Sequence, residues 1–248
     1  MKDKRLPQIS GQASRSAPLH RSATALLADL LRQRGWEEVS IDATDFAAGS
    51  QRHGFDHADV LLAQALLGLQ DHPSLRRLRL RACRLHPGVV ERLAEVLSGC
   101  PGLEELQVAS EQPADEHCLL TLSSGLVCAD QLRRLAVEAP VAEKASIRGG
   151  RGAALVGLVQ ACRHSVALEE VRVAAQRLDL RDVDWMVNAV PDLSPEADAG
   201  HEVCVAVCGN VETSSREEAE ERIERLRCCA VPQRLRLEWQ LEIAVTQS

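Results

Sequence analysis

The sequence predicts an α/β solenoid, in which units of one strand and one helix stack side by side. The phrase L-R-R-L-R-L at Leu75 returns as L-E-E-L-Q-V at Leu103, so that apolar residues recur with the spacing L-x-x-L-x-L. The segment between the two phrases has apolar residues at the spacing of one helical face: Val89, Leu93, Val96 and Leu97. Aromatic residues make up only 2% of the chain, so the core must consist of Leu, Val and Ala, which short stacked repeats can use.

The unit can be followed along the chain by its strand starts, which fall at Trp36, Leu75, Leu103, Leu132, Leu168, Glu202 and Pro232. These starts predict about seven units, separated by steps of 39, 28, 29, 36, 34 and 30 residues. Apolar periodicity predicts a helix in each step, over 56–70, 89–98, 115–127, 153–162, 182–190 and 215–229. The longer steps contain segments rich in turn residues, 140–151 and 191–200, which we interpret as loop insertions.

The two ends of the chain differ from this central array. Residues 1–20 are basic and polar, and we expect a disordered tail there; an organelle transit peptide is the alternative, which Asp3, Pro7 and Gly11 disfavour. Residues 21–248 are then one domain, with a cap helix at 22–34. It ends in an edge strand at 234–245, where apolar and polar residues alternate strictly.

One phrase carries a resemblance to a known family. The pattern LxxLxLxxCxL, formed by Leu75, Leu78, Leu80, Cys83 and Leu85, resembles a leucine-rich repeat of the ribonuclease-inhibitor type. The resemblance implies a right-handed solenoid, a horseshoe segment with a parallel concave sheet and outer helices. It also implies that an Asn or Cys at the ninth position of each repeat ties down the bend after the strand. Only Cys83 and Asn210 match there, against Thr44, Glu111, Pro140 and Gln176, so we expect irregular outer repeats.

Composition excludes several classes of function. The formal charge of −7 gives the whole chain no basic footprint, so we expect no nucleic-acid partner. No apolar run approaches the roughly 18 residues that a membrane helix needs, so we expect no membrane partner. The nine cysteines are odd in number and scattered, which favours reduced thiols in the cytoplasm over a secreted disulfide framework.

Catalytic and metal-binding motifs are missing from the sequence: there is no P-loop, no GxSxG, no HExxH and no paired CxxC. Cys204 and Cys208 form a CxxxC, but on a strand they would lie about 13 Å apart, too far for a disulfide or a shared metal. His53 and His57 lack further ligands, and the single RGG at Ile147–Gly152 is typical of a flexible loop. We therefore expect no enzyme activity, no metal and no cofactor.

The outward residues of the strands form rows, because residues at equal register in parallel strands lie about 4.8 Å apart. Positions in each repeat are counted from its strand start. At the third position, charge alternates from strand to strand: Glu38, Arg77, Glu105, Arg134 and Glu170. This row is either a recognition surface with patterned charge or a self-paired ladder that keeps the face soluble. The ladder is favoured, since each charge has neighbours of opposite sign and exposed pairs contribute only about 0–1 kcal/mol each.

The fifth and seventh positions of the repeat cancel their charges less completely. Arg79 and Arg81 join Arg76 and Arg77 in a local basic cluster, with small residues in the following strands. A guanidinium can pair with a carboxylate through two parallel hydrogen bonds. We therefore predict that a protein partner docks on the concave face at Arg77, Arg79, Arg81, Gln107, Arg134 and Arg172.

The most consistent function is a non-enzymatic protein–protein interaction module or scaffold subunit, free or within a larger complex. Proteins that are similar to this repeat type bind other proteins on the concave sheet or the adjoining loops, and we expect the same here. Two alternatives follow from the same resemblance: a regulator of a small GTPase, of the activating-protein kind, or a substrate-receptor arm of a ubiquitin ligase. Neither has a motif in this sequence.

Overall fold

The computed structural model describes residue 31 and residues 35–44, 56–82, 85–110, 116–138, 151–165, 167–190, 202–229 and 235–245. Its strands are β1 (Glu38–Asp42), β2 (Arg77–Ala82), β3 (Glu105–Ser110), β4 (Arg134–Glu138), β5 (Glu170–Asp179), β6 (Val203–Thr213) and β7 (Leu235–Val245). The helices with described bounds are α1 (Asp56–Leu69), α2 (Pro87–Gly99), α3 (Glu116–Leu126), α4 (Arg151–His164), α5 (Leu180–Ala189) and α6 (Arg216–Arg227).

The strands form one parallel sheet whose order, β1 to β7, is the order of the sequence. Inward side chains at equal register form two apolar rows across it. One row is Val39, Leu78, Leu106, Leu135, Val171, Val205 and Leu237, and the other is Ile41, Leu80, Val108, Val137, Val173, Val207 and Trp239. Each helix packs against the next helix in the sequence. The predicted α/β stack of strand–helix units is therefore present as a parallel sheet with helices over one face.

Local sequence explains where the helices begin. Pro87 occupies the first turn of α2, where its missing N–H costs nothing, and the His86 side chain accepts from the Gly88 N–H at 3.4 Å. Ser215 caps α6 by accepting from the Glu218 N–H at 3.4 Å. Acidic residues in the first turn of α6 and arginines in its last turn complement the helix dipole. These capping interactions determine where α2 and α6 begin.

The last three strands are longer than the first four, and this corrects one expectation. β5, β6 and β7 have 10, 11 and 11 residues, and the register between β5 and β6 shifts between Val173 and Gln176. Asn210 therefore lies within β6, in register with Arg177 and Glu242, and ties down no bend after the strand. The family-type role expected at Asn210 is wrong, because the strand continues through the position where the chain would turn. Cys83 lies outside the described residues.

The boundaries that the sequence predicts agree with the structure to within a few residues. α4 begins at Arg151 rather than at residue 153, so the preceding loop ends sooner than predicted. The predicted edge strand over 234–245 is present as β7. The expected tail at 1–20 and the loop at 191–200 lie outside the described residues, as does the cap helix at 22–34 apart from Leu31, which is helical and buried. No helix in the described ranges is both long and apolar enough to cross a membrane.

The strand register can be tested with two neighbouring residues of β3. Leu106 is 1% exposed and faces the helices, whereas Gln107 faces the other side of the sheet and is half-buried. Leu106→Asp places an unpaired charge between two neighbouring strands and should lower the free energy of unfolding by several kcal/mol, roughly 3–5. Gln107→Asp, the matched control, should cost less than about 1 kcal/mol. Equal losses for the two variants in chemical denaturation would contradict the register.

A buried carboxylate connects α4 to α5. Asp182 is 5% exposed, and its Oδ1 accepts from the Gly152 N–H at 2.9 Å. Its Oδ2 accepts from the Asp179 N–H at 3.2 Å, while the Asp179 side chain accepts from the Asp182 N–H at 2.8 Å, which completes a capping box. The start of α4 thus depends on a side chain from the next unit.

Glycine is required at position 152 by this contact. A Cβ there would lie 2.6 Å from the carbonyl oxygen of Asp182, so the backbone would have to move. We expect Gly152→Ala to destabilise the fold by about 1–3 kcal/mol through overpacking. Asp182→Ala should cost about 2 kcal/mol or more, because the buried Gly152 N–H and the partly buried Asp179 N–H lose their acceptor.

The control for both variants is Arg181→Ala, an exposed position on the same helix as Asp182, with an expected effect below about 0.5 kcal/mol. Thermal and urea unfolding measure all three. Asp182→Ala with the stability of Arg181→Ala would contradict the connecting role of the carboxylate.

Candidate protein-binding face of the sheet

The outward side chains of β1 to β7 form a surface that we call the open face, because no described helix covers it. In β2 the outward residues Arg77, Arg79 and Arg81 are exposed, and the inward residues Leu78 and Leu80 are buried. The parallel register carries the same alternation from strand to strand. The open face is therefore a continuous surface on which residues from neighbouring strands meet in rows.

The third-position row is an ion-pair ladder. Arg77 pairs with Glu38 at 3.1 Å, and Arg134 pairs with Glu105 at 3.4 Å. The residues at the second position, one before each of these, also alternate in charge. There Arg76 pairs with Glu104 at 2.6 Å, and Arg133 pairs with Glu169 at 3.6 Å. These contacts agree with the self-pairing that the alternating signs predict.

The basic cluster on β2 is compensated by neighbouring carboxylates. Arg79 lies 3.5 Å from Glu38 and 4.0 Å from Glu105, so it bridges β1 and β3. The Glu105 side chain is only 19% exposed and accepts a second guanidinium, that of Arg134. The sequence analysis grouped the arginines of β2 and placed Glu105 in the row of alternating charge. It did not predict that Glu105 also lies within ion-pair distance of Arg79, which belongs to another row.

Arg172 on β5 has a different environment. Its register partners are Ala136 on β4 and Ala206 on β6, both half-exposed residues with short side chains. Arg172 is exposed and forms no ion pair with any residue in the part of the chain that the structure describes. The guanidinium therefore lies between two short alanine side chains, and no described carboxylate pairs with it.

The six predicted site residues divide into two groups on the open face. Arg77, Arg79 and Arg134 converge on the carboxylates of Glu38 and Glu105, and Gln107 lies in register between Arg79 and Ala136. Arg81 lies in register between Asp42 and Ala109. Arg172 is two strands away from Gln107, about 10 Å along the row. The structure thus places all six on one surface but does not join them in one compact site.

Two cysteines of β6 also lie on the open face. The pKa of the Cys204 thiol is raised above its ordinary value, mainly by burial and secondly by the negative charge of Glu238. The Cys208 thiol donates to Gln240 Oε1 at 3.1 Å. Because the thiolate is the form that binds metals and attacks disulfides, a raised pKa opposes both roles. Within the described ranges, no group of three or more His, Cys, Asp or Glu side chains could hold a metal ion.

Buried thiols donate hydrogen bonds between successive units. Cys100 donates to the carbonyl oxygen of Leu69 at 3.0 Å, and Cys118 donates to that of Leu85 at 3.1 Å. Ser165 donates in the same way to Ala129 at 3.4 Å. Burial raises the pKa of Cys162 to about 12 and also raises that of Cys100. Cys100 and Cys118 therefore act as structural donors.

Thiol accessibility is a direct test of this arrangement. Cys128 and Cys228 are exposed, whereas Cys100, Cys118 and Cys162 are buried. We expect iodoacetamide at pH 8 to alkylate the exposed pair in the native protein, and the buried three only after denaturation, because the reagent cannot reach them and burial raises the pKa of Cys100 and Cys162. Peptide mass spectrometry reads each site. Rapid native labelling of Cys162 would contradict the packing of α4.

Comparison of the chain with models of known protein families gives no match, and comparison with curated proteins gives none either. The open face is therefore interpreted from its own chemistry.

Proposed function

We propose that this protein is a non-enzymatic protein–protein interaction module, or a scaffold subunit, whose partner binds on the open face of the sheet. The observation that carries the proposal is the exposed Arg172, which stands between Ala136 and Ala206 without an ion pair among the described residues. Flanking small side chains leave room for an incoming group to approach the sheet. A guanidinium in such a place can pair with a carboxylate through two hydrogen bonds.

The surroundings of Arg172 favour a protein partner that presents an acidic side chain. The cluster on β2 has its own carboxylates at 3.1–4.0 Å, so a partner must compete with those pairs. Exposed pairs of this kind contribute little, about 0–1 kcal/mol each, and can exchange. Arg172 therefore serves as the anchor of the proposed contact, and Arg77, Arg79, Arg81, Gln107 and Arg134 serve as a surrounding set that re-pairs with the partner.

The proposal includes the repeat class and the cellular compartment. The sequential parallel sheet, with rows of Leu and Val beneath it, supports a leucine-rich-repeat solenoid of the ribonuclease-inhibitor type with the open face as its concave side. Buried thiols that donate to backbone carbonyl oxygens support a reducing compartment, and we propose the cytoplasm. The raised pKa of Cys204 supports a role without thiol chemistry.

Affinity purification tests the binding face. The tagged protein is recovered from its own cells beside Arg172→Glu and beside the double variant Arg79→Glu, Arg81→Glu, and the co-purifying proteins are quantified by mass spectrometry. We expect Arg172→Glu to lower recovery of a stoichiometric partner at least about tenfold, as the loss of a good charged contact implies. The double variant should give a smaller loss, because Arg79 is already paired.

The matched control is Arg181→Glu, which makes the same charge change at an exposed arginine of α5 in the helix layer. Its recovery of the partner should equal that of the wild type. A partner that is retained by Arg172→Glu and lost by Arg181→Glu would move the binding site to the helices and contradict the proposal.

A further inference from the structure

The outer edge of β7 is the longest unpaired strand edge among the described residues. β7 spans 11 residues, Leu235–Val245, and pairs along its whole length with β6 on one side. The structure describes no strand beside its other side. Alternate residues of a strand turn both N–H and C=O to the same side, so this edge presents a long row of backbone donors and acceptors.

Apart from the charged outward residues Arg236, Glu238 and Glu242, the described edge has none of the devices that keep edge strands apart. Its sequence, L-R-L-E-W-Q-L-E-I-A-V, has no Pro, no Gly and no Lys, and its inward positions carry no charge. The register with β6 is continuous from Val203–Leu235 to Thr213–Val245, without a bulge. A long, regular edge of this kind is suited to pairing with another strand.

The apolar side of β7 is also incompletely covered. Trp239 and Leu241 are buried at 9% and 8% exposure, but Leu237 and Ile243 are only partly buried and Val245 is 51% exposed. The helix that packs against β7 is α6, which precedes it in the chain. A strand added at the edge would extend the apolar rows of the sheet and cover these side chains.

We infer that β7 pairs antiparallel with β7 of a second copy of this chain, about a twofold axis at Trp239. The outward charges and the length of the overlap together select this register. It places Arg236 opposite Glu242 of the second copy, twice by symmetry, and Glu238 opposite Gln240. On the inward side it places Leu237 opposite Leu241 and Leu235 opposite Ile243, so apolar faces meet apolar faces.

Neighbouring registers are less favourable. A slip by a single residue would turn the apolar side of one strand to the polar side of the other, so the pairs must shift by two. Centring the axis on Gln240 sets Glu238 against Glu242 twice, and centring it on Leu241 gives no opposite-charge pair. Centring it on Leu237 sets Arg236 against Glu238 twice, but only Leu235–Trp239 then overlap, against Leu235–Ile243 for the axis at Trp239. Directly opposed like charges destabilise a sheet, and opposite charges stabilise it.

Existing contacts on β7 are compatible with this pairing. Arg236 lies 2.8 Å from Glu238 of its own strand and is 63% exposed, so its guanidinium can reach a second carboxylate. Gln240 Oε1 accepts from Cys208 at 3.1 Å, which leaves the amide NH2 group for Glu238 of the second copy. The pairing joins two sheets edge to edge and leaves the open face of each copy uncovered, so it is independent of the proposed binding function.

Charge reversal tests the pairing with its own rescue. Arg236→Glu alone sets two carboxylates opposite each other wherever residue 236 of one copy faces residue 242 of the other. Glu242→Arg alone sets two guanidinium groups opposite each other at the same places. Each variant should weaken self-association at least about tenfold. The double variant restores opposite charges and should dimerise like the wild type. An equimolar mixture of the two single variants should form a heterodimer, since both of its contacts are then complementary. Glu91→Arg, at an exposed position of α2, is the matched control.

Sedimentation velocity of the full chain up to about 100 µM measures each species. The expected result is a dimer for the wild type, the control, the double variant and the mixture, and a monomer for each single variant. A monomeric wild type would overturn the inference, whether the edge is free or covered by another part of the chain. Self-association of both single variants as tight as that of the wild type, or single variants that associate no more tightly when mixed, would also overturn it.

Discussion

The whole structure depends on the in-register stacking of Leu and Val across parallel strands. A single strand–helix unit cannot bury its apolar side chains by itself, because they stay exposed on the two sides where neighbouring units would pack. Leu106 is buried because Leu78 and Leu135 stand at equal register on either side of it. This requirement explains the sequential strand order and the position of every described helix. It also explains the open face, since the helices needed for the core all lie on the opposite side.

A bare sheet face built from repeats has an electrostatic difficulty, which the alternating signs resolve. Stacked units bring equivalent positions to about 4.8 Å, so identical charges would repel along each row. Glu38, Arg77, Glu105 and Arg134 avoid this by changing sign at every strand, and they form two ion pairs, at 3.1 and 3.4 Å. The alternation continues to Glu170 on β5, whereas in the row two residues further along the strands Arg172 lies between two alanines. Arg172 is thus a charge on the open face that the described rows do not pair.

Much of this could be predicted from the sequence, because the determining interactions are periodic. The repeat of L-x-x-L-x-L predicts the strands and which side of each faces the core, and the sign alternation predicts the ladder. The rest depends on contacts between distant residues. The extension of β5 and β6 past Gln176 and Asn210 follows from their mutual pairing. The carboxylate of Asp182 serves a helix start 30 residues earlier in the chain, and no local pattern marks that role.

Arginine footprinting of the isolated complex tests the central claim, that the open face binds a protein. The chain is treated with phenylglyoxal alone and with its co-purified partner, and modification of each arginine is read by peptide mass spectrometry. We expect Arg172 and its neighbours on the open face to lose reactivity in the complex, whereas Arg181 on α5 keeps it. Protection of Arg181 with unchanged labelling of Arg172 would place the partner on the helices and contradict binding at the open face.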